Sequence, residues 1–158
     1  MIRIDKIGAA AAVLMMTGTG TVLADGHELT FQLVVHSIDM KVVEAPDAEG
    51  HILGTGNFKG VAVFADGDIA DKTFVFSFDE TDGVGTGHGY STYTFLDGSS
   101  ITARFDDVSG GDSSGGEYEV LSGTGRFEGA TGTGWYKPAD HPWDGASFYD
   151  GAFSLELP

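Results

Sequence analysis

The segment Lys72–Asp79, KTFVFSFD, carries the clearest strand signal in the chain. Phe74, Phe76 and Phe78 fall on one face of an extended backbone, while Thr, Val and Ser alternate with them on the other face. Side chains of a β-strand point alternately to opposite faces, so this period of two predicts a strand with one apolar face.

Similar short segments lie on both sides of this strand, separated by glycine-rich turns. The chain holds 25 glycines and only 4 prolines, and no segment keeps apolar residues at helical spacing over three turns. Runs rich in Val, Phe, Tyr and Thr between turn residues are typical of short strands. We predict eight strands and little helix, with the strands at residues 28–38, 52–65, 72–79, 86–96, 99–106, 117–123, 130–137 and 147–157.

The even number of strands and their short connections predict an all-β fold, a small closed antiparallel eight-stranded barrel. Closure removes the unpaired sheet edges that invite aggregation. A two-sheet β-sandwich is the alternative. No composition shift divides the chain, so residues 25–158 are expected to form a single domain.

Residues 1–24 have the pattern of a secretory signal peptide. Arg3 and Lys6 precede the apolar run Ile7–Met16, and Val22-Leu23-Ala24 fits the small-x-small rule for cleavage. A buried N-terminal helix is the alternative interpretation. Because the chain has no cysteine, we expect an exported bacterial protein, periplasmic or extracellular, and not a disulfide-stabilised module.

The chain is strongly acidic, with a formal charge of −16. This charge repels phosphate backbones and anionic lipids, so neither a nucleic acid nor a membrane surface is expected as a partner. A mature N-terminus Asp25-Gly26-His27 could hold Cu(II) or Ni(II) through nitrogen atoms, and the acidic turns could hold Ca²⁺. Both signals are weak alone, and we expect no metal or organic cofactor.

Two later segments resemble a known family. Val120–Tyr136 reads VLSGTGRFEGATGTGWY, and Gly87–Ala103 reads GHGYSTYTFLDGSSITA. Both resemble the allene oxide cyclase and dirigent-protein barrels and their bacterial relatives, over roughly the C-terminal half of the domain. Gly123, Gly125 and Phe127 make the first motif structural, because the glycines permit tight turns and the phenylalanine is an apolar plug.

The resemblance implies a barrel that binds an apolar or aromatic small molecule and guides its cyclisation or isomerisation. It also implies a homo-oligomer, a trimer by analogy, and no obligatory cofactor. Dirigent proteins carry a His-Asp pair on the first strand. Here the segment reads VVHSID, so Asp39 follows His36 by three residues and departs from that pattern.

Polar and aromatic side chains on strands are the candidates for a site inside such a barrel. An inward Arg104 could bind a carboxylate or oxyanion, and His36 could transfer a proton, so these two are the candidate catalytic residues. The candidate substrate-binding residues are Gln32, Tyr90, Tyr93, Tyr118, Trp135 and Tyr136. Each has a structural alternative, either a surface ion pair or ordinary core packing.

Three functions stay open: a cyclase or isomerase-like barrel, a non-catalytic binding barrel, and a structural or interaction module with a filled core. The first predicts a cavity into which Arg104 or His36 points. The third predicts that Phe74, Phe76 and Phe78 fill the interior. The orientation of the third strand therefore bears directly on function.

Overall fold

The computed structural model describes residues 26–111, 114–141 and 143–158. The predicted signal peptide, residues 1–24, and the first residue of the possible N-terminal copper or nickel site lie outside the described residues. Eight strands are present, with bounds β1 Gly26–Glu44, β2 His51–Phe64, β3 Ile69–Thr81, β4 Val84–Phe95, β5 Ser100–Ser109, β6 Gly115–Thr124, β7 Thr131–Pro138 and β8 Ser147–Glu156.

The strands form a closed antiparallel barrel in sequence order, which confirms the predicted fold class and rules out the sandwich. Each strand pairs with its neighbour in sequence, and β8 returns to β1 from Gly26↔Glu156 to Val35↔Ser147. Gly125–Phe127 forms a 3₁₀ turn, and no α-helix occurs in the described part of the chain. No helix among the described residues is long and apolar enough to cross a membrane.

Strand β1 is longer than predicted, because it continues beyond the barrel. Its pairing with β8 stops at Val35, whereas its pairing with β2 continues to Glu44↔Ile52, past a bulge between Ser37 and Asp39. Every residue from His36 to Glu44 is exposed. Ile38, Met40 and Val42 alternate with Asp39 and Lys41 there, so the period of two continues through this segment although neither face of β1 is buried in it.

The barrel interior is filled mainly by aromatic and aliphatic side chains from alternate strand positions. Phe31, Leu33 and Val35 of β1 are buried, as their alternation predicts. Tyr93 and Phe153 pack edge-to-face at the centre, with ring centroids 5.1 Å apart. Aromatic pairs of this kind add to the free energy gained by burying their surface.

One end of the barrel is closed by the turn between β6 and β7. Phe127 is buried there against Phe95, with ring centroids 4.9 Å apart. The guanidinium of Arg126 lies over both rings and pairs with Asp68 and Asp97. The Gly-Thr-Gly-Arg-Phe motif is therefore structural, with its phenylalanine as the expected apolar plug.

We predict that Phe127→Ala lowers the free energy of unfolding by about 3 kcal/mol, because it leaves a cavity at the closed end. Urea denaturation would measure the change. Leu96→Ala is the matched control, since Leu96 is 86% exposed and its truncation should alter stability by less than about 0.5 kcal/mol. Equal effects of the two variants would show that Phe127 does not seal the barrel.

Candidate functional site

A lysine lies inside the barrel, on the strand with the clearest apolar face. Lys72 is only 4% exposed and follows the buried Ala70 on the inner face of β3. Its Nζ lies within 6.0 Å of the centroids of five aromatic rings, those of Phe74, Tyr93, Phe105, Tyr118 and Tyr136. Lysine is almost never fully buried in proteins without a partner, so this side chain requires an explanation.

Two tyrosine hydroxyls connect Lys72 to the centre of the core. Lys72 Nζ donates a hydrogen bond of 2.8 Å to Tyr118 Oη, and Tyr118 Oη lies 2.9 Å from Tyr93 Oη. Both tyrosines are buried. Since a hydroxyl both donates and accepts, Tyr118 can accept from a protonated Lys72 or donate to a neutral one. The three groups therefore form a hydrogen-bond chain along which a proton can move.

Burial dominates the electrostatics of this chain. It lowers the pKa of Lys72 to about 7, because an ammonium ion is poorly solvated in an apolar interior. No acidic side chain among the described residues lies within 4 Å of Lys72 Nζ to offset that effect. The electron-rich faces of the surrounding rings partly oppose it. Burial also raises the pKa of both Tyr93 and Tyr118, which keeps their hydroxyls protonated.

A small cavity connects Lys72 with the end of the barrel opposite Phe127. Its volume is about 80 Å³, enough for two or three water molecules. Its lining is mainly apolar and aromatic, with polar groups from five side chains: Lys72, Asp107, Tyr136, Ser147 and Tyr149. Phe58 and Phe74 stack on each other in its wall and are only half-buried, so their rings have room to move.

An acidic group lies in the wall of this cavity. Burial raises the pKa of Asp107, although the hydroxyl of Tyr136 counteracts that effect. Asp107 and Tyr136 also line a wide, open groove of about 720 Å³ at the surface, to which His88 and Trp135 contribute. The groove is too open to enclose a ligand, but it meets the cavity at two shared side chains.

Three of the predicted substrate-binding residues come together inside the barrel. Tyr93, Tyr118 and Tyr136 all surround Lys72 Nζ, and the ring of Tyr118 lies 5.0 Å from that of Tyr136. These placements agree with the expectation that strand tyrosines line the interior. Their role in binding a substrate stays a prediction.

The other predicted site residues lie on the outer face of the barrel, so the expected inward orientation of Arg104 and His36 is not found. Arg104 pairs with Asp106 at 2.5 Å and with Glu119 at 3.6 Å, both at the surface. His36 is exposed. The remaining outward residues are Gln32, whose amide donates to Asp150, together with Tyr90 and Trp135.

These placements follow from the alternation along each strand, because residues of the same parity (all odd-numbered or all even-numbered) face the same side of the sheet. The buried residues of β5 are Ile101, Ala103 and Phe105, so Arg104 between two of them must face outward. In β1 the buried residues are odd-numbered, which directs Gln32 and His36 to solvent. Residue chemistry suggested a site, but the position along the strand fixes which face a side chain occupies.

Lys72 and Asp107 were missed, although the sequence contains their signal. Lys72 has the same parity as Phe74, Phe76 and Phe78, and Asp107 has the same parity as Phe105. A charged residue in step with the apolar face of a strand is directed inward by the same alternation. Phe74 and Phe76 pack against the core and line the cavity beside Lys72, and Phe78 stacks on Phe76. Inward phenylalanines on β3 are what the filled-core module predicts, although a small cavity remains beside Lys72.

Comparisons with known proteins agree with this architecture. No protein-family model and no curated protein matches the chain. Two pterocarpan synthase dirigent proteins match in structure at 13% identity, with TM-scores of 0.56 and 0.57. They cover 85% and 84% of this chain, over 92% and 96% of their own.

A third solved structure is a protein of unknown function of the DUF3224 family from Shewanella oneidensis MR-1. It matches at 18% identity with a TM-score of 0.51, over 85% of this chain and 98% of its own. At such low identity these likenesses concern the fold alone. They show a dirigent-like barrel, which bears out that part of the resemblance, and they do not single out an allene oxide cyclase.

We predict that the stability of the protein rises between pH 7 and pH 9.5 because of Lys72. The unfolded chain keeps the Lys72 proton up to about pH 10.4, while the folded chain releases it near pH 7. The unfolded state then binds more protons in this window, so the free energy of unfolding increases with pH. Urea denaturation at pH 6.5, 8 and 9.5 would measure it.

Lys72→Met should abolish this rise and should be more stable than the natural protein at pH 6.5. The gain should amount to a few kcal/mol at most, since each unit of pKa difference corresponds to about 1.4 kcal/mol. Lys41→Met, at an exposed position, should keep the rise. Parallel pH profiles for the natural protein and Lys72→Met would show that the amine is not desolvated as described.

Proposed function

We propose that the barrel binds a small molecule with an apolar or aromatic body in its cavity and guides a cyclisation or isomerisation by moving a proton. In this proposal Lys72, which lines the cavity, exchanges the proton with the bound molecule, Tyr118 passes the proton to or from Lys72, and Tyr93 holds Tyr118 in position. The observation that carries the proposal is the buried amine of Lys72, at a cavity wall, with no carboxylate within 4 Å among the described residues.

An amine in this place is costly for a protein that only has to fold. Burial of an ionisable group without a charged partner destabilises the native state, and an apolar side chain would fill the same space without that cost. Groups that break the packing rules in this way are concentrated at functional sites. The inner neighbours of Lys72 on β3, Ala70 and Phe74, follow those rules.

The protonation behaviour of Lys72 suits proton transfer at neutral pH. Its pKa is lowered to about 7, and a general acid or base works best when its pKa is close to the working pH. Tyr118 can return or remove the proton, because its hydroxyl bonds Lys72 on one side and Tyr93 on the other. Arg104 and His36 lie outside the barrel, so the proposal gives them no part in this step.

The aromatic walls favour a ligand with a ring or an apolar chain. Phe58, Phe74, Phe76 and Phe105 present ring surface to the cavity, and such surface binds apolar and aromatic bodies through burial and ring stacking. The cavity of about 80 Å³ is smaller than most ligand pockets. A ligand larger than a few heavy atoms must therefore displace the stacked rings of Phe58 and Phe74.

Fold analogy supports the reaction class as an association only. Two of the similar structures are named as pterocarpan synthase dirigent proteins. One fold supports many functions, so the site, not the barrel, has to carry the argument.

A structural or interaction module is the second candidate, and the small cavity favours it. Apolar side chains on the outer face are also exposed, among them Val61, Val63 and Ile69. A continuous exposed apolar surface is typical of a surface that contacts another protein. In that case the protein would form a homo-oligomer or bind a partner without a small-molecule ligand.

Thermal-shift measurements on the purified protein would separate the two candidates. We expect a small phenol, at about 100 times its Kd, to add about 2.7 kcal/mol to the stability. Lys72→Met and Tyr118→Phe should lose that shift. Arg104→Ala should keep it, because Arg104 lies on the outer face.

The opposite results are equally informative. A shift that persists unchanged in Lys72→Met would place binding elsewhere and contradict the proposal. A flat response to every organic compound, together with an oligomer in sedimentation measurements, would support the interaction module.

A further inference from the structure

We propose that Lys72 acts as a nucleophile toward a small uncharged aldehyde or ketone and forms an imine with it inside the barrel. This inference rests on the proposed function, because it requires a ligand in the same cavity. It goes further by naming the chemical class of that ligand and the covalent bond that holds it.

The geometry leaves the amine available for attack. Lys72 lines the cavity, and Tyr118 is the one hydrogen-bond partner of its side chain among the described residues. With no carboxylate of the described chain within 4 Å, nothing holds the nitrogen in an ion pair. The surrounding side chains contribute ring faces at 4.7 to 6.0 Å, which exclude water without forming hydrogen bonds to the nitrogen lone pair.

The titratable groups that face Lys72 leave its amine partly neutral near pH 7. They are Tyr93, Tyr118, Tyr136 and Tyr149, whose pKa values burial raises, and Asp107, whose pKa burial also raises. The four tyrosines therefore stay uncharged near pH 7. A neutral amine in an apolar pocket is the reactive form of lysine in Schiff-base chemistry.

The remaining lysines of the described chain are in a different environment. Lys41 and Lys137 are exposed, and Lys59 is half-exposed and pairs with Asp71 at 3.3 Å. At pH 7.5 a lysine in water is neutral in only about one molecule in a thousand. The same chain thus contains both the reactive amine and its internal controls.

The step balances without an oxidant or reductant. The lone pair of Lys72 Nζ forms a bond to the carbonyl carbon, and the π electrons of the carbonyl move to its oxygen. The nitrogen then gives up one proton and the oxygen takes one, by way of the Tyr118 hydroxyl that is hydrogen-bonded to Nζ, which gives a neutral carbinolamine and restores Tyr118. The nitrogen lone pair next forms the C=N bond as the hydroxyl group leaves as water, and the water takes up the second proton that the nitrogen releases. One amine and one carbonyl give one imine and one water.

The same surroundings select the substrate. A protonated imine carries positive charge, and the five ring faces around the nitrogen partly offset the desolvation of that charge. The carboxyl of Asp107 in the cavity wall and the overall charge of −16 disfavour an anionic keto acid. The substrate class is therefore an uncharged carbonyl compound with an apolar or aromatic body.

Reductive trapping of the purified protein tests this directly. The protein would be incubated at pH 7.5 with limiting butanal or benzaldehyde and sodium cyanoborohydride, which reduces an iminium ion to a stable secondary amine. Peptide mapping by mass spectrometry then compares Lys72 with Lys41, Lys59 and Lys137. We expect labelling at Lys72 to be about tenfold or more faster than at Lys41, Lys59 and Lys137, given the larger neutral fraction of its amine.

Three controls make the result specific. Unfolding in guanidinium should equalise the labelling of these four lysines. Tyr118→Phe should slow labelling at Lys72 and leave the surface lysines unchanged. The rate at Lys72 should level off above pH 7, whereas the surface rates should continue to rise to pH 9. If Lys72 in the folded protein is labelled no faster than the surface lysines, the inference is overturned.

Its failure is distinguishable from failure of the proposed function. Benzyl alcohol has the shape of benzaldehyde but no carbonyl group. A thermal shift with benzyl alcohol that is lost in Lys72→Met, without labelling of Lys72, would leave the binding function standing and refute the imine. The absence of both the shift and the labelling would refute both.

Discussion

Closure of the sheet is the constraint on which the other features of this protein depend. Once β8 pairs with β1, every strand of the barrel directs one face into a common interior and the other to solvent. The position of a residue along its strand then determines whether its side chain is buried or exposed to solvent. Lys72 is desolvated for this reason, because it lies on the same face as Phe74 and Phe76, and its chemistry follows from that placement.

The two ends of the barrel differ in how well their buried groups are partnered. At the closed end, Phe127 packs against Phe95 under the guanidinium of Arg126, and polar and apolar contacts support each other. Near the open end, Lys72 and Asp107 are taken from water without a full set of partners. The favourable packing at the closed end can offset the free-energy cost of burying Lys72 and Asp107, since native stability is the sum over the whole cooperative domain.

The sequence allowed the fold to be predicted because alternation and turn glycines are local signals that closure reinforces. Of the six candidate binding residues, Tyr93, Tyr118 and Tyr136 face the interior, whereas Gln32, Tyr90 and Trp135 face outward. Arg104 and His36 are candidates because of their chemistry, but their positions in the alternation of β5 and β1 direct both side chains outward. The size of the cavity depends on how the rings of Phe58 and Phe74 stack across two strands, and no pattern within one strand contains that information.

The sealed end has a kinetic consequence. Because Phe127 and Arg126 close one end of the barrel, any molecule that reaches Lys72 from the open end has to leave through the same opening. The cavity of about 80 Å³ is too small for an incoming molecule and a departing one to pass each other. Departure and entry must then alternate, and a bound molecule that dissociates slowly delays the entry of the next one.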